Sequence, residues 1–536
     1  MTTQLQLRPN QVDHYQRVQD ILQKFYFYVD GSEMGTGKTY VATALAKLYN
    51  LPCIVVCPLA ARKTWTDVLG TYGVGVYNLP ETGGVLTYES LRSMKGYQPK
   101  HGLLTRVEGS PVQFFPTELL TKIINAGVLI IFDECQKLKN KSAQFAAARA
   151  VIRHFYAVSS KSRLALLSAT AMDKPDHAVN FLRMVGFITH RNLYTKNGGV
   201  GKLLGAAELQ EWAMKISREK AEEFMNNNPF KFSQKGAIEY VFKLFIEVLR
   251  DQILSIMPRG KTDAIKDVKN GFYYMEKQDE LAYTQTITSL SDVLSYDMET
   301  GTVVRNQKNM GTITKVMMES QKAKIPIMIR KAKEILSQTV NEKGEQICPK
   351  VVLFADYYDV INELLIELKD YYPVELTGRI SEKNRNAAIT AFQEQSSTCR
   401  IIIGNPLVGG LAVGLHDTTG KFPRHMLIMP GFRINELHQA TGRVFRDGTV
   451  GKAVIRFVYG LSGNRETSIM DALSKKGKVM KAVHKEQSED GVKFPSEYDD
   501  EYEQLPSHIQ PTFNDGENLQ DVVVSNKTSG DFELFR

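Results

Sequence analysis

The stretch Ser32-Glu-Met-Gly-Thr-Gly-Lys-Thr39 decides how the rest of the chain is read. It follows a short aromatic and β-branched run, Tyr26 to Val29, and precedes Tyr40 to Tyr49, a segment of good helix formers. A glycine-rich turn between a strand and a helix aims backbone N–H groups at phosphate oxygens. Gly35, Thr36 and Gly37 allow the backbone to close on the phosphates. Lys38 is placed to reach the β- and γ-phosphates, and Thr39 offers a hydroxyl to Mg²⁺. The common form of such a loop begins with Gly, where this chain has Ser32. ATP and Mg²⁺ are the expected ligands.

Further along, Cys53 to Cys57, Gly127 to Phe132 and Leu164 to Leu167 are continuous apolar runs of buried-strand length. Val351 to Phe354, Arg400 to Ile403, His425 to Met429 and Val454 to Val458 repeat the habit, with helical patterns between them such as Val360 to Lys369 and Glu382 to Gln395. Strands apolar throughout, alternating with helices, predict parallel sheets covered on both faces. The expected fold class is therefore α/β, with two parallel-sheet lobes at residues 1–190 and 346–485. Residues 191–345, with 24 basic and 20 acidic side chains, carry long helical patterns and read as a mostly helical insertion. Residues 486–536 read as an acidic tail that buries too little apolar surface to order itself.

The 536 residues are 43% hydrophobic and 24% charged, which excludes a mainly disordered or fibrous chain. No apolar run approaches the ~18–20 residues of a membrane span, and no signal peptide is visible, so an intracellular, soluble protein of cytoplasm or nucleus is expected. Five scattered cysteines suit a reducing compartment and suggest neither a disulfide framework nor zinc. The tail carries 13 acidic and 3 basic residues, so the whole-chain charge of +8 hides a body of +18. A basic body suits a polyanion such as nucleic acid. The tail reads as a solvated terminus or as a surface for a basic protein partner.

Two further signals carry chemistry. Asp133-Glu134 ends the apolar run Val128 to Phe132, about 95 residues after the glycine-rich loop. At the carboxyl end of a buried strand, Asp133 is expected to hold the metal and Glu134 to polarise the attacking water. In the second α/β unit, Gln439-Ala-Thr-Gly-Arg443-Val-Phe-Arg446 places two arginines three apart on one helix face. An arginine brought across a cleft stabilises charge developing on a transferred phosphoryl group.

In this order these motifs resemble those of the superfamily two helicase-like ATPases, and among them the Swi/Snf-type DNA translocases; His416-Asp417, Gly420 and Arg424 resemble enzymes of this type found in large DNA viruses. The resemblance spans most of residues 5–485 and implies two RecA-like lobes. Leu7-Arg8-Pro9-Asn10-Gln11 is similar to the motif whose Gln recognises adenine. Cys57-Pro58-Leu59 with Trp65 is similar to a motif that approaches the DNA backbone, and Thr87-Tyr88-Glu89-Ser90 to the one after it. Asp133 to Asn140 is close to the Swi/Snf acidic motif, although Gln136 replaces the usual His. Ser168-Ala169-Thr170 resembles the motif that couples the lobes, which gives Gln136, Ser168 and Thr170 a coupling role. Gln439 is implied in nucleotide binding. Phe354, Thr377-Gly378, Arg385 and Phe392 match second-lobe features. Gly409 to His416 resembles the glycine-rich motif that touches DNA and nucleotide, without assigning a role to any residue in 409–417. Arg465-Glu466 to Lys475-Lys476 resembles the helix that closes lobe two onto lobe one.

The implied activity is ATP hydrolysis stimulated by nucleic acid and coupled to movement along double-stranded DNA. An RNA helicase, or a motor subunit of a larger nucleic-acid-processing, restriction or transcription complex, stays open. A non-catalytic scaffold is disfavoured by the intact Lys38, Asp133, Glu134, Arg443 and Arg446.

Overall fold

The computed structural model describes residues 5–33, 35–158, 161–168, 172, 174–197, 200–257, 264–293, 310–396, 398–406, 414–431, 434–446, 448–463, 466–467 and 497–504. Two all-parallel sheets organise them. The first has the order Leu254–Ser255, Phe27–Asp30, Arg163–Leu167, Leu129–Asp133, Cys53–Cys57, Val85–Thr87. The second runs Val374–Leu376, Ile401–Gly404, Lys350–Phe354, Arg424–Ile428, Ala453–Gly460, Lys266–Tyr273, Asp499–Tyr502. The α/β class with two parallel-sheet lobes is thus as the sequence predicts.

Apolar continuity in the strands has a direct cause. Successive side chains point to opposite faces, and both faces are covered. Ile54, Val56, Ile130, Phe132, Leu164 and Leu166 join one core, while Cys53, Val55, Leu129, Ile131, Ala165 and Leu167 join another. The second sheet divides in the same way, with Val351, Leu353, Ile401 and Ile403 on one side and Val352, Phe354, Ile402 and Met426 on the other.

The middle of the chain departs from the expected insertion at 191–345. Its first part, through the helix Gly205–Ile216 and on to Leu254, packs into the core of the first sheet, and Leu254–Ser255 extends that sheet at its edge. From Lys266 the chain belongs to the second sheet, pairing residue for residue with Ala453–Gly460. Strand pairing, not helical content, divides this stretch. Among its helices, Gly205–Ile216 and Arg218–Asn227 are separated at Ser217.

The acidic tail also contributes. Asp499–Tyr502 forms the last strand of the second sheet. Arg456, largely buried, reaches Glu501 at 2.8 Å and Asp267 at 3.0 Å, and Arg330 reaches Glu503 at 2.8 Å. Tyr502 stacks on Phe272, and Phe272 on Tyr459, with ring centroids 4.8 and 5.3 Å apart. Basic side chains on the second lobe thus hold a segment whose composition argued against order. Residues 505–536 lie outside the described set.

Beneath this stack Lys324 and Glu466 form an ion pair at 2.8 Å with no solvent exposure of either side chain, and Tyr283 donates to Glu466. Glu466, expected in a lobe-closing helix, is a buried anion of lobe two, and Arg465, Lys475 and Lys476 lie outside the described residues. Removing one member of such a pair strands a buried charge. Lys324→Ala is therefore expected to destabilise the protein by about 3–5 kcal/mol, read by urea unfolding, whereas Tyr372→Ala, at an exposed turn, should change stability by less than about 0.5 kcal/mol.

Candidate active site

The phosphate loop leaves the carboxyl end of Phe27–Asp30 and enters the helix Lys38–Leu48, with Gly37 capping it. Gly35 and Gly37 have φ of +81° and +98°, where a side chain is strained. Each glycine also admits a neighbour. A Cβ on Gly37 would lie 2.2 Å from Gln11 Nε2, and one on Gly35 would lie 2.7 Å from Arg446 Cβ and 2.9 Å from its Nε. Lys38 Nζ donates to the carbonyls of Ser32 and Glu33 at 2.7 and 2.9 Å, so the ammonium lies inside the loop that it is expected to serve. Thr36 Oγ1 donates to Glu33 O at 2.8 Å.

Gln11 lies in the helix Pro9–Phe25, which starts with Pro where its missing N–H costs nothing. Its Nε2 donates to Thr36 O at 3.0 Å, and its Oε1 accepts from Arg8 N at 2.9 Å. The amide expected to read adenine is thus docked on the phosphate loop itself.

Asp133 and Glu134 follow the strand Leu129–Asp133, and Glu134 takes a left-handed backbone with φ of +55°. Asp133 Oδ2 accepts from the Trp65 indole N–H at 2.8 Å, and its backbone carbonyl accepts from Tyr88 O–H at 2.8 Å. Burial, with the Glu134 carboxylate beside it, holds the Asp133 carboxyl above its ordinary range, while Trp65 and Lys38 pull it back. Two crowded carboxylates and a threonine hydroxyl are a hard-oxygen donor set that a divalent cation would relieve. Asp133 and Thr39 fit the Mg²⁺ role in that chemical sense.

Trp65 corrects an expectation. Read as part of a motif approaching a DNA backbone, it is 1% exposed and instead fixes the Asp133 carboxylate. A tryptophan eight residues after a strand end looks like core in sequence. The only textual signal would have been its buried N–H, which needs an acceptor.

Gln136 links the motifs. Its Nε2 donates to Glu134 Oε2, and its Oε1 accepts from Ser168 Oγ at 2.5 Å. The Ser168 N–H in turn donates to Asp30 O at 2.9 Å. Glu134, Gln136 and Ser168 therefore form one hydrogen-bonded series. Thr170 lies outside the described residues.

The second lobe supplies the opposite wall. Arg443 lies on the helix Ile434–Val444 and is fully buried, with Gln439 half-buried on the same helix; the helix ends two residues before Arg446, so the two arginines do not sit on one helix face as the sequence predicts. Burial, then the charge of Arg446, pushes the Arg443 guanidinium down to about 9, against the pull of Glu134. His416 is pushed down to about 4 by burial and by Arg446 and Arg424, so its imidazole is neutral near pH 7. Arg424, 3% exposed, donates to Leu415 O at 2.7 Å and to Gln393 Oε1 at 2.8 Å, and Gln393 Nε2 donates to Gly414 O at 2.7 Å. This lattice holds Gly414 and His416 against Arg446, since a Cβ on Gly414 would meet Arg446 Nη1 at 2.8 Å. The sequence left 409–417 without roles; His416 now has a place, and 407–413 lie outside the described residues.

All of this converges on one cavity of about 530 Å³, lined from the first lobe by Gln11, Gly35, Lys38, Thr39, Asp133 and Glu134 and from the second by His416 and Arg446. Residues some 400 positions apart share its walls. No helix among the described residues is long and apolar enough to cross a membrane.

No protein-family profile matches the chain. It is 25% identical over 498 residues, 90% of this chain and 84% of the other, to a protein of Acanthamoeba polyphaga mimivirus named provisionally as an ATP-dependent RNA helicase. Among solved structures it is similar to the Sulfolobus solfataricus SWI2/SNF2 ATPase core domain, at 16% identity over 92% of each chain and with a TM-score of 0.29. The chain is thus similar, along nearly its whole length, to a helicase-type protein.

Two outcomes test the site. Glu134→Gln keeps shape and loses the carboxylate, so it should retain ATP binding and turn over at least ~10²-fold more slowly. Trp65→Phe removes one hydrogen bond to a carboxylate, worth about 1.5–3 kcal/mol, and should lower kcat about 10- to 100-fold. Steady-state ATPase assays paired with nucleotide-binding titrations separate the two effects.

Proposed function

We propose that this chain is an ATP-driven nucleic-acid motor whose two lobes close on Mg·ATP and use its hydrolysis to step along double-stranded DNA. The observation that carries the reading is the cavity shared by Lys38, Asp133 and Glu134 with Arg446. Thr39 and Asp133 would hold Mg²⁺ there, and the ion would supply charge neutralisation to the phosphates. Lys38 would leave the Ser32 and Glu33 carbonyls for the phosphates. Glu134, braced by Gln136, would accept a proton from the attacking water. Arg446, and Arg443 behind it, would stabilise the charge spreading onto the leaving phosphates. A body of +18 supplies backbone attraction rather than base readout, which suits stepping.

The name of the mimivirus relative favours a second reading, in which the polymer is RNA. A protein partner held by the acidic tail would have to compete with, or lie beyond, the contacts that Glu501 and Glu503 make to the second lobe.

ATP turnover measured alone and with single-stranded DNA, double-stranded DNA or RNA tests partner and activity together. Double-stranded DNA is expected to stimulate most; stimulation by RNA alone would replace this reading with the second, and no turnover in any condition would end both. Arg446→Lys keeps charge but loses the planar fork. It should bind nucleic acid normally and lose most of the ~10³-fold or larger effect that an arginine supplied across a cleft provides.

A further inference from the structure

Ser32, where the common loop has Gly, is fully buried, and its hydroxyl is engaged. Met257 N–H donates to Ser32 Oγ at 2.8 Å, and Gly31 N–H donates to Ser255 O at 2.9 Å. Ser255 Oγ lies 2.9 Å from His14 Nδ1, His14 Nε2 lies 3.0 Å from Asp30 Oδ2, and Asp30 Oδ1 accepts from Ser32 N–H at 2.9 Å. The Asp30 carboxylate only accepts, so the His14 Nε2–H donates to it and Nδ1 is left to the serine. A ring of hydrogen bonds therefore joins the first helix, the start of the phosphate loop and residues 255–257.

Ser, His and Asp in such a series also make nucleophilic triads. Here Ser255, His14 and Asp30 are at most 3% exposed, and none lines the cavity, so no substrate reaches the serine. The informative fact is where the chain goes next. Leu254–Ser255 is an edge strand of the first sheet, and Lys266 already belongs to the second. The chain therefore passes from the first lobe to the second after Ser255, and the Met257 amide at the start of that passage is bonded to the loop that is to hold the phosphates.

We infer that Ser255, His14 and Ser32 act as positioning residues that tie the phosphate loop to the interlobe passage, so that lobe closure and phosphate-loop geometry change together. This rests on the ATP-hydrolysing reading above. It gives Ser32 a role that Gly or Ala could not fill.

Ser255→Ala removes one hydroxyl from the ring and nothing from the cavity wall. The full chain is compared with Ser255→Ala and Ser255→Thr in two assays. One is turnover with and without the stimulating nucleic acid; the other is amide exchange at 254–257 with and without a non-hydrolysable ATP analogue. In the parent, nucleotide should slow exchange at the Met257 amide at least ~10-fold, the scale of one hydrogen bond. Ser255→Ala should lose that protection and most of the stimulation of kcat, with KM for ATP within ~2-fold, and Ser255→Thr should restore both. Ser32→Ala, read by exchange alone, should abolish the effect at Met257 by itself, which keeps the test intact if Ser255→Ala does not fold. Unchanged Met257 exchange on nucleotide binding in an active parent overturns the tie alone. So does an equal loss of stimulated and unstimulated turnover in Ser255→Ala. A parent that binds no nucleotide overturns the functional reading, and the tie falls with it.

Discussion

Arg446 can approach Gly35 only because Gly35 has no side chain. A single methyl there would overlap both the Cβ and the Nε of Arg446, and the left-handed backbone at Gly35 disfavours any other residue independently. Much of the molecule serves this one approach. The first sheet delivers the loop, the second delivers the helix Ile434–Val444 with Arg446 two residues past its end, and Gly414 clears the other flank of the same guanidinium. Arg424 and Gln393, which do not line the cavity themselves, hold the segment that carries Gly414.

Electrostatics in the cavity are unbalanced in a way that makes chemical sense. Burial, and then the neighbouring Glu134 carboxylate, hold Asp133 above its ordinary range, and burial, and then the charge of Arg446, push Arg443 below its own. Like charges gathered on two facing walls are costly in an empty protein. A polyanion carrying its own divalent cation offsets both at once, with phosphates toward the arginines and metal toward the carboxylates. Burial first, and then Arg446 and Arg424, keep the His416 imidazole neutral beside them.

Much of this was legible in the sequence wherever a single local rule governs. The apolar runs at Cys53–Cys57 and Leu129–Asp133 are strands covered on both faces, and the glycine-rich loop and Asp133-Glu134 fall at the strand ends where sequence put them. Long-range pairing was not legible. Lys266–Tyr273 carries Lys266, Asp267, Lys269 and Asn270, polar enough to hide a strand whose polar half is only partly buried. Leu254–Ser255 is two residues at the end of a helical pattern, and Asp499–Tyr502 is acidic because its partners, Arg456 and Lys269, are basic. Trp65 was misread for a related reason: its acceptor, Asp133, lies 68 residues away.

The most direct test of the shared cleft asks which side chains lie beside the γ-phosphate. An ATP analogue bearing an acyl group on its γ-phosphate transfers that group to a nearby amine and releases ATP. In the parent chain, the account predicts acylation of Lys38, suppressed by excess Mg·ATP. In Arg446→Lys, it predicts a second, equally ATP-suppressible acylation at position 446, both mapped by mass spectrometry of peptides. Acylation of Lys38 with none at position 446 would contradict it, because the second lobe would then stand away from the phosphates.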